Sequence, residues 1–113
     1  MKDTVGRLRE WANTQDAPER AAYELLADQG HWLCHEGFLK HCVREDFGTL
    51  WIDWSAVAEG LETSSFLWGS SGEMAVLRFA LSLARDQLGL SSLDTGNRLL
   101  VVRALGYALG VQR

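Results

Sequence analysis

Ser70 and Glu73 open the segment that most constrains what this chain can fold into. Their spacing is a capping box, in which a hydroxyl serves the first turn and a carboxylate returns to the cap residue's own N–H. Behind it Met74, Val76, Leu77, Phe79, Ala80, Leu81, Leu83, Ala84 and Leu88 cover well over half of a helical wheel. Arg78, Ser82 and Arg85 form the narrow polar stripe. A helix apolar over so much of its circumference is packed on several sides. The pattern predicts a central helix over residues 73–88, stopped by Gly89, that leaves no cleft for chemistry.

Other segments read as helices around it. Thr4 to Asn13 spaces Val5, Leu8, Trp11 and Ala12 helically, so residues 1–14 read as a loosely attached N-terminal helix or a docking arm. Asp16, Pro18 and Glu19 signal a second start, Ala22, Leu25 and Leu26 supply its buried face, and Gly30 its stop. His31 to Glu45 is helical in pattern despite Gly37, and Asp46 to Thr49 is a turn. Leu50 and Ile52 alternate with Trp51 and Asp53 as one very short extended segment without an evident partner, too little for a sheet. Asp53 caps a helix bearing Trp54, Val57, Ala58 and Leu61, and a serine-rich loop follows from Thr63 to Ser71. Asp94 caps a last helix whose Leu99, Val101, Val102, Leu105, Ala108 and Leu109 are expected to face inward, with Gly110 closing it. Arg98 falls on that apolar face, where it snorkels to solvent or pairs with Asp94 or another carboxylate. The expected fold is all-α: one compact bundle of about five or six helices spanning residues 1–113.

Composition narrows the function classes. With 113 residues, 47% hydrophobic and 23% charged, the chain is long enough to bury a core without staples. The net charge of −4 opposes non-specific attraction to nucleic acid or anionic membranes, and no basic run exists. No apolar window reaches membrane-spanning length and no secretory leader opens the chain, so the expected location is cytoplasmic. Ser70-Ser71-Gly72-Glu73 with Leu93-Asp94 superficially resembles the signature and D-loop segments of ABC-type ATPases. The glycine-rich phosphate loop and the strand ending in Asp-Glu are both missing, so these residues read as helix caps.

One cluster has ligand chemistry. His31, Cys34, His35, His41 and Cys42 lie within twelve residues, and imidazole and thiolate suit zinc. On a continuous helix, however, Cys34 and His41 stand about 10.5 Å apart along the axis, too far for one ion. His31 and His35 with Cys34 would need a fourth ligand from elsewhere, or a fold-back at Gly37. A Cys34–Cys42 disulfide would span about 12 Å, beyond the roughly 7 Å limit. A cysteine nucleophile has His35 or His41 as formal base but no orienting third group. The plain alternative has both cysteines as small buried hydrophobes and the histidines at the boundary.

The surplus of tryptophan is the positive signal: Trp11, Trp32, Trp51, Trp54 and Trp68. Tryptophan is enriched at binding hot spots, and it is also an ordinary core filler. Trp51, Trp54, Phe66, Leu67 and Trp68 are the candidate partner-binding residues, the last three because loops lie outside. From Trp68 onward, S-S-G-E, Leu77-Arg78, Ala80, Ser82-Leu83-Ala84, Leu93-Asp94, Asn97 and the Ala-Leu-Gly ending resemble small uncharacterised helical proteins of actinobacteria and their phages. The resemblance covers the C-terminal half alone and implies a shared helical fold, without activity or catalytic residues. The expectation is a non-enzymatic protein–protein interaction module, an accessory protein of a phage or mobile element, whose partner is another protein or a second copy. The rival is a zinc-binding protein built on the His31–Cys42 cluster.

Overall fold

The computed structural model describes residues 3–63 and 66–111, so Ser64 and Ser65 of the serine-rich loop lie outside the described residues. Among the described residues the chain forms six α-helices and one two-stranded hairpin. In order these are α1 (Thr4–Ala12), α2 (Ala17–Gln29), a 3₁₀ turn (Trp32–Cys34), α3 (Glu36–Cys42), β1 (Val43–Asp46), β2 (Thr49–Ile52), α4 (Trp54–Thr63), α5 (Ser71–Ala84), a second 3₁₀ turn (Leu90–Ser92) and α6 (Thr95–Leu109).

Caps set most of the boundaries. The side chains of Asp3, Asp16, Ser70 and Asp94 each accept from a backbone N–H three residues on, satisfying donors that a helix start leaves orphaned. Ser70 and Glu73 form the complete capping box. Gly30 and Gly110 end α2 and α6 in the left-handed region, where the absence of Cβ removes the penalty.

The fold is predominantly helical but departs from all-α in one place. The segment read as helix to Glu45 stops at Cys42, and Val43–Asp46 pairs antiparallel with Thr49–Ile52, Val43 opposite Ile52 and Asp46 opposite Thr49. The partner that β2 needs is thus its immediate neighbour. Phe47 and Gly48 connect the strands with φ of 52° and 83°, the two positive values that a type I′ turn requires. Leu50 and Ile52 point into the core, and the Trp51 indole N–H donates to Asp46 at 2.8 Å on the outer side.

The core gathers around α2, not around residues 73–88. Tyr23 and Leu26 of α2 meet Trp32, Phe38, Ile52 and Val57, all fully or almost fully buried. A buried Leu or Phe of this kind contributes about 1.5–3 kcal/mol relative to exposure. Helix α5 packs along α2, yet only Leu77 and Ala80 of it are buried, and Phe79 and Leu88 are exposed. It also ends at Ala84, five residues before Gly89, in a turn where Asp86 takes a positive φ of 50°. Its apolar surface is covered where it meets α2 and α4, with Met74, Val76, Leu81, Leu83 and Ala84 half-buried against the core, so it flanks the core and is not the enclosed hub expected.

Both chain ends differ from expectation, in opposite directions. Rather than hanging loosely, α1 packs on β2 and α2 with Leu8 and Ala12 fully buried. The Tyr23 hydroxyl donates to the Val5 carbonyl at 2.8 Å, and Arg7 donates to Glu45 at 2.7 Å and to the Gly48 carbonyl at 3.0 Å. The last helix, by contrast, has no buried residue. Leu99, Val102 and Leu109, expected inside, are 67%, 66% and 73% exposed. Leu105 and Ala108 are exposed too, and only Val101 of that set is half-buried. A radius of gyration of 14.9 Å exceeds the roughly 13 Å of a compact domain this long, as a helix set outside the body produces.

Candidate functional site

The three histidines and Cys34 flank a cleft, contrary to the expectation that the bundle would leave none. Its open volume is about 790 Å³, lined by His31, Cys34, His35, Lys40, His41 and Trp68 among others. The helix is interrupted before Gly37 and not at it: a 3₁₀ turn spans Trp32–Cys34, His35 is extended, and α3 begins afresh at Glu36 with Gly37 inside it. Gly37 is where the Phe66 carbonyl crosses α3, since a Cβ there would lie 2.1 Å from that oxygen.

Each histidine is engaged by its surroundings. His31 places Nδ1 3.2 Å from Glu73 Oε2 and Nε2 3.4 Å from the Trp68 carbonyl. Glu73 reaches it from the start of α5, where its other oxygen accepts from the Ser70 N–H at 2.8 Å. That backbone bond, followed by the His31 ring, holds the Glu73 carboxyl below its usual range. The Trp32 indole N–H donates to the Glu73 carbonyl at 2.9 Å, fastening the 3₁₀ turn to α5. Gly69 closes over the pair, because a Cβ there would stand 2.9 Å from Glu73 Oε1 and 3.0 Å from His31 Nε2.

His35 is 7% exposed and serves as the N-cap of α3, its Nδ1 accepting from the Phe38 N–H at 3.1 Å. With Nδ1 as acceptor, the neutral ring carries its hydrogen on Nε2, which is buried and has no hydrogen-bond partner. Rings surround it instead: Trp68 edge-on at 4.9 Å, Trp32 at 5.2 Å and His31 at 5.3 Å between centroids. Burial, then the neighbouring His31, lowers the His35 pKa, while Glu36 and Glu73 act in the opposite sense. His41 lies against the Phe66 ring at 4.3 Å.

The two cysteines part company. Cys34 is exposed at the cleft, whereas Cys42 is fully buried and its thiol is pushed up to about 12 by desolvation. Both are free. Among the described residues no three His, Cys, Asp or Glu side chains converge as a metal-holding group, so the His31–Cys42 cluster is not drawn together around one ion.

The partner-binding candidates also divide. Trp54 and Leu67 are buried, so neither offers a surface to a partner. The Trp54 indole N–H donates to Glu19 at 3.1 Å, and burial raises the Glu19 carboxyl above its usual range. Leu67 and Phe66 sit over Gly60, where a Cβ would come within 2.7 Å of both side chains. Trp51 and Phe66 are half-buried. Trp68 alone of the five is exposed, at 71%, leaning on His35.

The larger apolar surface lies elsewhere, in residues read from sequence as core. Leu99, Leu100, Val102, Leu105, Tyr107 and Leu109 of α6 are all exposed. Beside them a groove of about 500 Å³ runs between α2, α5 and α6, lined by Pro18, Leu83, Leu90, Leu93, Val101 and Leu105. Arg98 lies exposed at its edge, as a snorkelling side chain would. Monomeric proteins rarely leave contiguous apolar patches of more than a few hundred Å² uncovered. The available signal was that α6 is apolar on every side while its start and stop are strongly marked. No helix among the described residues is long and apolar enough to cross a membrane. In comparisons with known proteins, no family model, no curated protein and no solved structure matches this chain.

Proposed function

We propose that this chain is a non-enzymatic protein–protein interaction module and that α6 is its docking element. The observation that carries the reading is the row of large apolar side chains that α6 leaves in solvent. A helix apolar on all sides belongs inside a larger core, and one copy of the body supplies cover on one side only. Trp68 is a second contact, a rigid aromatic surface held in place by His35. The resemblance of the C-terminal half to small proteins of actinobacteria and their phages supports an accessory role in such a host.

What supports the non-enzymatic part is the state of the cleft. His35 is committed to capping α3, His41 to Phe66, and His31 to Glu73 and the Trp68 carbonyl. His31 and the Trp32 indole hold the 3₁₀ turn against α5 through Glu73.

Size-exclusion chromatography of the chain in extract of its native host tests the reading. The expected result is elution well above the 12.6 kDa of one chain, reverting to that size for Leu100→Glu combined with Tyr107→Glu. Elution of the wild type as a single chain, both in extract and purified, overturns it.

A further inference from the structure

We infer that the groove between α2, α5 and α6 is a binding site for a fatty-acid anion, its single acyl chain along the apolar walls and its carboxylate on Arg98. The site lies on the inner side of α6 and does not depend on what the outward residues of that helix meet. The first ground is the lining. Ala21 of α2, Leu83 of α5, Leu93 of the connection and Val101 of α6 supply walls that are almost wholly apolar. Those walls do not close on one another, because Val102 and Leu105 line the groove and are still exposed. Sites for small molecules have this make-up, with apolar walls, few placed polar groups and volumes of roughly 300–1,000 Å³, and they form between helices. The groove, at about 500 Å³, falls within that range.

The second ground is charge. Arg98 is the one charged side chain that lines the groove, and among the described residues it has no ion-pair partner. The acids of the connection between α5 and α6 are committed to backbone. Asp86 accepts from the Leu90 N–H at 2.8 Å, and Asp94 from the Asn97 N–H at 2.9 Å. An apolar groove with one unanswered guanidinium at its edge is complementary to an apolar chain with one negative end. The fork of a guanidinium matches a carboxylate in geometry as well as charge.

The third ground is size. A methylene needs about the room of a water molecule, roughly 30 Å³. One acyl chain therefore fits the groove, and the paired chains of a membrane lipid do not.

Isothermal titration of the purified chain with saturated fatty acids, each below its micelle concentration, tests the site. The expected result is one molecule per chain, with affinity rising roughly threefold to fourfold for each added methylene that the groove buries. Alkyltrimethylammonium ions of equal length should bind roughly 10-fold more weakly, since they lack the charge-assisted bond. The net charge of −4 favours those cations, so a preference for the anion reports the local guanidinium. Arg98→Gln alters an exposed side chain and should weaken fatty-acid binding by roughly 10-fold or more. Ala21→Phe, at an exposed position of α2, fills the groove and should abolish binding. Circular dichroism reports retention of the helices in both variants. A wild type that binds no fatty acid, equal affinity for the alkyl cation, or undiminished binding by either folded variant overturns the site. Binding to phospholipid vesicles alone, with none to free fatty acid, assigns the groove to a membrane surface and overturns it too.

Discussion

His35 is where one side chain joins folding to pH. The Phe38 N–H needs Nδ1 as an acceptor, and a proton on that nitrogen removes it. Because burial lowers the folded-state pKa below the ordinary 6.5, the unfolded chain binds the proton first as pH falls. The stabilisation is therefore complete above about pH 6.5 and is lost as pH drops through the folded-state value. Urea denaturation between pH 7.5 and 5 should show a decline in stability that His35→Asn flattens, since an amide oxygen caps α3 without titrating. An equal slope in the variant would contradict the assignment. Gly37 gives a second residue-scale prediction. Gly37→Ala drives a Cβ into the Phe66 carbonyl and should cost about 1–3 kcal/mol as overpacking does, read as a lowered melting temperature. Because the same loop carries Trp68, its fluorescence should shift as well.

At the scale of elements, what could be read in advance was whatever is written locally. Asp16 with Pro18, the Ser70–Glu73 box, Asp94 and the terminal glycines mark helix ends through bonds that span a few residues. Contacts across the chain left no such mark. The pairing of His31 with Glu73 joins residues 42 positions apart, and Glu73 reads in sequence only as a cap. The hairpin was hidden because Val43–Asp46 carries three charged side chains and no inward alternation, so its half of the pattern is missing. The turn disguised it further by placing Phe47, fully exposed, where asparagine is usual. Left-handed backbone costs a bulky residue about 1–2 kcal/mol, which asparagine largely escapes. Phe47→Asn should therefore raise the denaturation midpoint by up to about 1 kcal/mol of stability; an unchanged or lowered midpoint would mean that the ring is held by contacts the single chain does not make.

For the molecule as a whole, apolar pattern and burial came apart. Residues 73–88 and 95–109 are the greasiest stretches, yet the core closes around Tyr23, Leu26, Trp32 and Phe38. Pattern reports that a surface needs cover, and it is silent about which surface provides it. In α1 the cover comes from the hairpin and α2; in α6 most of the apolar surface is left exposed. Hydrogen–deuterium exchange of the α6 amides at low and high protein concentration bears on this most directly. Exchange should be fast when the chain is dilute and should slow markedly as concentration rises or host extract is added, while the α2 amides stay protected throughout. Slow, concentration-independent exchange in α6, equal to that of α2, would mean that the helix is packed on its own body and that no partner is needed.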